Sequence, residues 1–179
     1  MHRIVLSLAF IAAATAFGQE SLPTPPAGYA WVRLAPTHAA FLKPKGWFLK
    51  TEKHGSIDAF FISRENIDKV GEFTVGLTIN VLHPHENAAD HSLRIMGSYM
   101  DRGDVLRMRE LRQGPMSGYV GLIRVPGRGG RLMLHLITLG NPKTNTTYLI
   151  LFEAPESEWN AAWKTGETML KQFMLDDSD

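Results

Sequence analysis

The sequence predicts an α+β fold in which a mostly antiparallel β-sheet carries two helices. Three observations support this class. Most of the chain consists of short runs rich in β-branched and aromatic residues, separated by Pro and Gly turn signals. The hydrophobic pattern changes to a helical period after Asn87 and again after Pro155. Between these two segments lie four strand-like runs joined by turns, an order that favours an antiparallel meander.

The first eighteen residues have the organisation of a cleaved secretory signal, 1–18. A short, potentially positive start precedes an apolar run from Ile4 to Phe17, and Ala16 and Gly18 are the small residues that a signal peptidase recognises. The run is too short to span a ~30 Å hydrocarbon core, and no cysteine follows the cleavage point. The sequence therefore predicts a secreted or periplasmic chain that begins at Gln19 and has no stable membrane anchor.

Length and composition predict one domain that folds without disulfide bonds. Residues 19–29 form a Pro-rich linker, residues 30–176 a single domain and residues 177–179 a tail. A domain of roughly 150 residues buries about 68–70% of its unfolded surface, and the chain contains no cysteine for disulfides or thiol chemistry. The formal net charge of +1 includes Arg3, which leaves with the signal, so nucleic acid is not an expected partner.

Turn signals divide the domain into eight predicted strands. In chain order they are Ala39–Leu42, Trp47–Lys50, Ile57–Ser63, Phe73–Leu82, Val105–Leu111, Gly118–Val125, Leu132–Leu139 and Thr147–Glu153. Pro and Gly in Lys43–Gly46 and in Pro126–Gly130 mark two of the turns between them. Gly76 inside the fourth strand suggests a bulge or a close backbone contact.

Two segments have helical signals. Asn87 can cap a helix with Asp90 at its third position, and this helix is expected to stop at Gly103. The second helix carries one apolar stripe at spacings of three and four, formed by Trp159, Ala162, Trp163, Gly166, Leu170 and Phe173. Pro155 and the acids that follow it suit the first turn of this helix.

The order of these features resembles the PsbP-like superfamily. An early aromatic strand ends in Lys43–Trp47, Phe60–Ser63 follows, and Tyr148–Pro155 leads into the helix of Trp159 and Trp163. The resemblance covers about residues 30–175. It implies an α/β/α sandwich, with the antiparallel sheet between helices. The superfamily also includes the eukaryotic Ran-binding Mog proteins and bacterial periplasmic proteins, so it implies partner binding rather than substrate turnover.

A histidine cluster is the first candidate site. His83, His85 and His91 lie within nine residues, and imidazoles together with nearby carboxylates can bind Zn²⁺, Cu²⁺ or Mn²⁺. Their spacing matches no defined metal motif. A solvated loop before a helix, with Asn87 and Asp90 as capping residues, explains the same segment.

An arginine group is the second candidate site. Seven arginines lie between Asp101 and Arg131, and Arg107 and Arg109 point to the same face because they are two apart on one strand. Arg124 and Arg131 flank the next hairpin. Guanidinium groups bind carboxylates well, so these residues predict a surface for an acidic partner. The ordinary solvated face of a sheet is the alternative.

No catalytic motif accompanies these groups. The sequence contains neither a Gly-x-Ser-x-Gly elbow nor a cysteine nucleophile. Gly127–Gly130 lacks the lysine and following helix of a phosphate-binding loop, which favours a hairpin tip.

The sequence therefore predicts an exported, non-catalytic binding or accessory module, without a cofactor, that docks another exported protein through its sheet face. The alternatives are a metal-binding protein or metal-dependent hydrolase centred on the histidines, with a divalent transition metal, and a carrier of a small apolar ligand.

Overall fold

A seven-stranded antiparallel sheet and a two-stranded sheet form the framework of the molecule. The structure is a computed structural model that describes residues 22–34 and 39–175. The strands are β1 (Tyr29–Leu34), β2 (Ala39–Pro44), β3 (Phe48–His54), β4 (Ile57–Ser63), β5 (Gly76–Leu82), β6 (Asp104–Gln113), β7 (Met116–Gly127), β8 (Gly130–Asn141) and β9 (Thr146–Pro155). The helices are α1 (Ile67–Val70), α2 (Ala88–Met100) and α3 (Trp159–Leu170), the last preceded by a 3₁₀ turn at Glu156–Glu158.

The large sheet has the order β3-β4-β5-β9-β8-β7-β6. Strands β3 to β5 form one meander and β6 to β9 form a second, as expected from the turns. Helix α2 carries the chain from β5 to the far edge, and β9 returns beside β5 with Ile150 opposite Ile79. This arrangement leaves β3 and β6 as the two edge strands of the sheet.

Helix α2 covers one face of the second meander. Its Met96 packs in a cluster with apolar residues of β7, β8 and β9, namely Ile123, Leu134, Leu136, Leu149 and Leu151. The predicted cap is confirmed, because Asn87 accepts a hydrogen bond from the amide of Ala89 at 2.8 Å. The first turn also lies against Gly140 of β8, where a Cβ atom would come within 2.6 Å of Ala89 N. Only a glycine there permits this close approach.

Helix α3 and the β1–β2 hairpin cover the opposite face. Phe152 of β9 lies under the helix, with its ring centroid 6.0 Å from that of Trp159 and 5.8 Å from that of Trp163. Beyond the helix, Phe173 stacks on Phe41 of β2 at 5.6 Å. The predicted apolar stripe therefore faces the core. The α+β fold class and the sandwich are confirmed.

Several element boundaries differ from the predictions. Strand β5 begins at Gly76 rather than Phe73, because the amides of Thr74 and Val75 donate to the Glu65 carboxylate instead of to a neighbouring strand. Helix α2 ends at Met100, before Gly103. Helix α1 is a four-residue element that the hydrophobic period does not reveal; Asn66 caps its start and Gly71, with φ of 81°, ends it.

The predictions for the two ends of the chain fall largely outside the described residues. The signal sequence (1–18) and the tail (177–179) lie there. Within the Pro-rich segment, the carbonyl of Pro23 accepts a hydrogen bond from the indole of Trp31 at 2.6 Å. Trp31 is only partly exposed. In the ranges that the structure describes, no helix is both long and apolar enough to cross a membrane.

Candidate functional site

A cleft of about 560 Å³ opens between the edge strand β6 and helix α3. Arginines border it and aromatic rings line it, and we call it the tryptophan–arginine cleft. It is defined by Arg107, Arg109, His135, Trp159 and Trp163. The remaining lining consists of apolar side chains and backbone of β6 and β7.

Strand alternation and register bring these residues to one place. Arg107 and Arg109 share a face of β6, and Arg107 lies opposite Leu122 of β7. Leu122 in turn lies opposite His135 of β8, so the arginines and the imidazole occupy adjacent strands of one surface. This is the face that helix α3 covers in part.

Helix α3 supplies the aromatic wall of the cleft. Trp159 and Trp163 are four residues apart, and their rings stack with centroids 5.2 Å apart and planes 14° apart. The Trp163 ring also lies 4.4 Å from the His135 ring. The sequence predicts these tryptophans as core residues, and they do pack on Phe152, but they also border the cleft.

Charge in the cleft is positive and not neutralised. Burial, with a smaller contribution from the nearby Arg109 charge, lowers the pKa of His135 to about 4, so its imidazole is neutral at pH 7. Arg109 donates only to the Glu110 carbonyl, at 3.3 Å. Neither Arg107 nor Arg109 forms an ion pair with any residue that the structure describes. The cleft therefore combines two exposed guanidinium groups with a neutral aromatic wall.

The other two predicted arginines have different surroundings. Arg124 lies on β7 but is engaged by the Asp104 carboxylate at 2.9 Å and by Glu156 at 3.1 Å. These ion pairs connect the start of β6 to the turn before α3. Arg131 is exposed near the β7–β8 tip, where it borders a second cleft. Arg107 and Arg109 come together as predicted, whereas Arg124 is paired and Arg131 lies apart.

The predicted histidine cluster is spread over a strand end, a loop and a helix. His91 is buried, with Nδ1 3.0 Å from Thr147 Oγ1, and burial lowers its pKa, helped by the Arg94 charge. His83 Nδ1 lies 3.5 Å from Thr146 Oγ1, and His85 is exposed. Among residues 22–34 and 39–175, no three His, Asp or Glu side chains are grouped so that they could hold a metal ion. Metal binding stays a prediction from the sequence.

Sequence reasoning missed His135 as a member of the site. The available signal was a single imidazole in the run Leu132–Leu139, whose other residues are apolar except Thr138. Its role depends on the neighbouring strand and on α3, which the local pattern does not specify.

Comparison with known proteins identifies the fold. No protein-family model matches the chain, and a search of curated proteins finds no match. Among solved structures, PsbP (CyanoP) from Synechocystis sp. PCC 6803 is similar with a TM-score of 0.59 and 14% identity, over 89% of this chain and 96% of that one. The Ran-binding protein Mog1p from Saccharomyces cerevisiae is similar with a TM-score of 0.52 and 10% identity, over 82% and 95%.

A mutant of Mog1 is a third similar structure, with a TM-score of 0.53 and 11% identity, over 84% of this chain and 97% of that one. At these identities the likeness concerns the fold. The chain therefore has the PsbP/Mog1 fold, and the resemblance predicted from the sequence is confirmed at that level.

Proposed function

We propose that this protein is an exported, non-catalytic binding module that docks an acidic segment of another exported protein in the tryptophan–arginine cleft. The observation that carries the proposal is the pair Arg107 and Arg109, which no described carboxylate neutralises, beside two stacked tryptophans. Export rests on the signal-like residues 1–18. The structurally similar Mog1p is a Ran-binding protein, which agrees with protein docking by this fold.

The chemistry of the cleft suits a protein segment with carboxylates. Arginine forks bind carboxylates with two hydrogen bonds, and two guanidinium groups on one strand face match acids spaced two apart on an extended chain. Tryptophan and arginine are also the residues that dominate binding energy in protein interfaces. An extended segment with an apolar side chain two residues from one of its acids, and so on the same face, would use both features of the cleft.

The edge position of β6 adds a second means of recognition. One side of β6 pairs with β7, and its other side pairs with no strand in the described ranges. Val105, Leu106 and Met108 of this strand are exposed by 40%, 44% and 46%. An extended segment can add to such an edge through main-chain hydrogen bonds. The partner segment is therefore expected to bind as a strand along β6.

The lining of the cleft favours binding over catalysis. His135 is its one titratable group other than the arginines, and neither a carboxylate nor a hydroxyl side chain lines it in the described structure. Nucleophilic catalysis by a side chain requires a hydroxyl or thiol within hydrogen-bond reach of a base, and the described lining offers His135 no such group. His135 instead contacts the ring of Trp163.

A matched pair of variants on β6 tests the proposal. Arg109→Glu reverses a charge in the cleft, and Arg112→Glu reverses an exposed charge on the opposite face of the same strand. The mature protein is used to capture and cross-link proteins of its own exported fraction, and the cross-linked peptides are sequenced. We expect acidic segments to cross-link near β6, with at least about tenfold less capture by Arg109→Glu and normal capture by Arg112→Glu.

The melting temperature of both variants serves as the folding control. Both side chains are exposed, so each substitution should change the free energy of unfolding by less than about 0.5 kcal/mol. Equal capture by the two variants would contradict the proposal, as would cross-links to basic segments. The mass of the exported chain tests its location, since a mature protein beginning at Gln19 is expected.

A further inference from the structure

A second and larger cleft, of about 960 Å³, lies on the opposite face of the sheet, beyond the region covered by α2. Its floor includes Phe61 of β4 and Glu153 of β9. The loop with Glu72 and Phe73 forms one wall, and the β7–β8 hairpin tip with Arg128 forms the other. We call it the glutamate cleft. Its volume falls within the range of small-molecule sites.

Hydrogen bonds hold the loop wall in place. The Glu65 carboxylate accepts from the Thr74 hydroxyl at 2.6 Å and from the Thr74 amide at 3.2 Å. Arg64 donates to the same carboxylate at 2.9 Å. The two walls also meet, because Arg128 contacts Glu72 at 3.0 Å. Hydrogen bonds therefore hold the loop wall, and an exposed ion pair joins it to the hairpin tip.

Glu153 is the polar group on the floor that has no partner. It follows Leu149 and Leu151, whose side chains pack under α2 on the same face of β9. Among the described residues no group forms a hydrogen bond or ion pair with its carboxylate, and burial raises its pKa. A partly buried carboxylate without a partner is costly, so a ligand that supplies a positive charge would gain this interaction.

Aromatic rings and paired charges make up most of the remaining surface. The Phe61 and Phe73 rings lie 6.4 Å apart with planes tilted by 60°. At the rim, Lys50 is held by Glu52 at 2.9 Å and by Asp68 at 3.2 Å. Arg131 stands exposed at the outer rim. Phenyl faces accept both apolar groups and ammonium groups.

We propose that the glutamate cleft binds a small organic amine, with its ammonium group on the Glu153 carboxylate and its apolar body against Phe61 and Phe73. The site lies on the other face of the sheet from the tryptophan–arginine cleft, so the proposal does not depend on the proposed function. It also accounts for a carboxylate on β9 at the position that continues the apolar face of Leu149 and Leu151. Residues kept for binding often reduce stability in this way.

Titration calorimetry with defined probes tests the amine site. The mature protein is titrated with three amines: 2-phenylethylamine, tryptamine and 4-phenylbutylamine. Two control compounds of similar size replace the ammonium group, 2-phenylethanol with a neutral hydroxyl and 3-phenylpropionate with a negative carboxylate. We expect saturable binding of at least one amine, and at least tenfold weaker binding of the alcohol and the acid. Glu153→Gln should weaken amine binding at least tenfold, whereas Glu167→Gln, an exposed glutamate of α3, should leave it unchanged.

The comparison of amine and alcohol uses the unaltered protein, so it stands even if the Glu153 variant folds poorly. The proposal is overturned if no amine binds saturably, if the alcohol or acid binds as tightly as its matched amine, or if folded Glu153→Gln keeps the affinity of the original protein. Loss of amine binding in Arg109→Glu would also contradict it, because that residue lies on the other face.

Discussion

Replacing His135 by phenylalanine should remove a specific acid sensitivity of the fold. His135 is packed against Trp163, and burial and the Arg109 charge hold its pKa at about 4 instead of the usual 6.5. The unfolded chain therefore takes up a proton on this side chain at a higher pH than the folded chain does. The neutral His135 imidazole therefore contributes to the free energy of unfolding above pH 6.5, and this contribution is lost as the pH falls toward 4.

The size of the effect follows from the pKa shift. Each unit of pKa corresponds to about 1.36 kcal/mol, so a shift from 6.5 to about 4 gives a limiting loss of about 3 kcal/mol. At pH 5 the loss is about 2 kcal/mol, because protonation of the unfolded chain is nearly complete there while the folded chain is still mostly neutral. His135→Phe keeps a ring beside Trp163 and cannot titrate.

Urea unfolding at pH 7.5, 6 and 5 measures this pH-dependent loss of stability. Other titrating groups are common to the original protein and His135→Phe, so the difference between their free energies of unfolding isolates His135. We expect the difference to shift in favour of the variant by about 2 kcal/mol between pH 7.5 and pH 5. A difference that stays constant within about 0.5 kcal/mol would refute the burial of a neutral imidazole beside α3.

Two further predictions concern the placement of α2. Gly140→Ala should lower the free energy of unfolding by about 1–3 kcal/mol, because the added methyl group would overlap the backbone of Ala88; urea unfolding measures this. Gly97→Ala is its control, since space is open there and alanine should stabilise the helix interior by about 0.5–1 kcal/mol. Asn87→Ala should cost about 1 kcal/mol by removing the cap on the Ala89 amide, and a melting temperature equal to that of the original protein would contradict this.

Part of the candidate site could be predicted because it depends on local periodicity. Arg107 and Arg109 share a face of β6 for the simple reason that side chains alternate along a strand. In the same way, the four-residue spacing of Trp159 and Trp163 predicts that they lie on one side of α3. The cap at Asn87 is also local, since donor and acceptor are two residues apart.

The sequence by itself determined the α+β class, the second meander and the pairing of these arginines on one face, because each depends on neighbours within a few residues. Only the tertiary structure decided which segments meet. His135 joins the tryptophans because β8 lies beside β9 under α3, and Arg124 is neutralised by acids 20 and 32 residues away. Glu153 lies on the floor of a cleft whose walls come from segments distant in sequence, the loop with Glu72 and the β7–β8 hairpin tip. The strand order brings these segments together, and a local hydrophobic period does not encode that order.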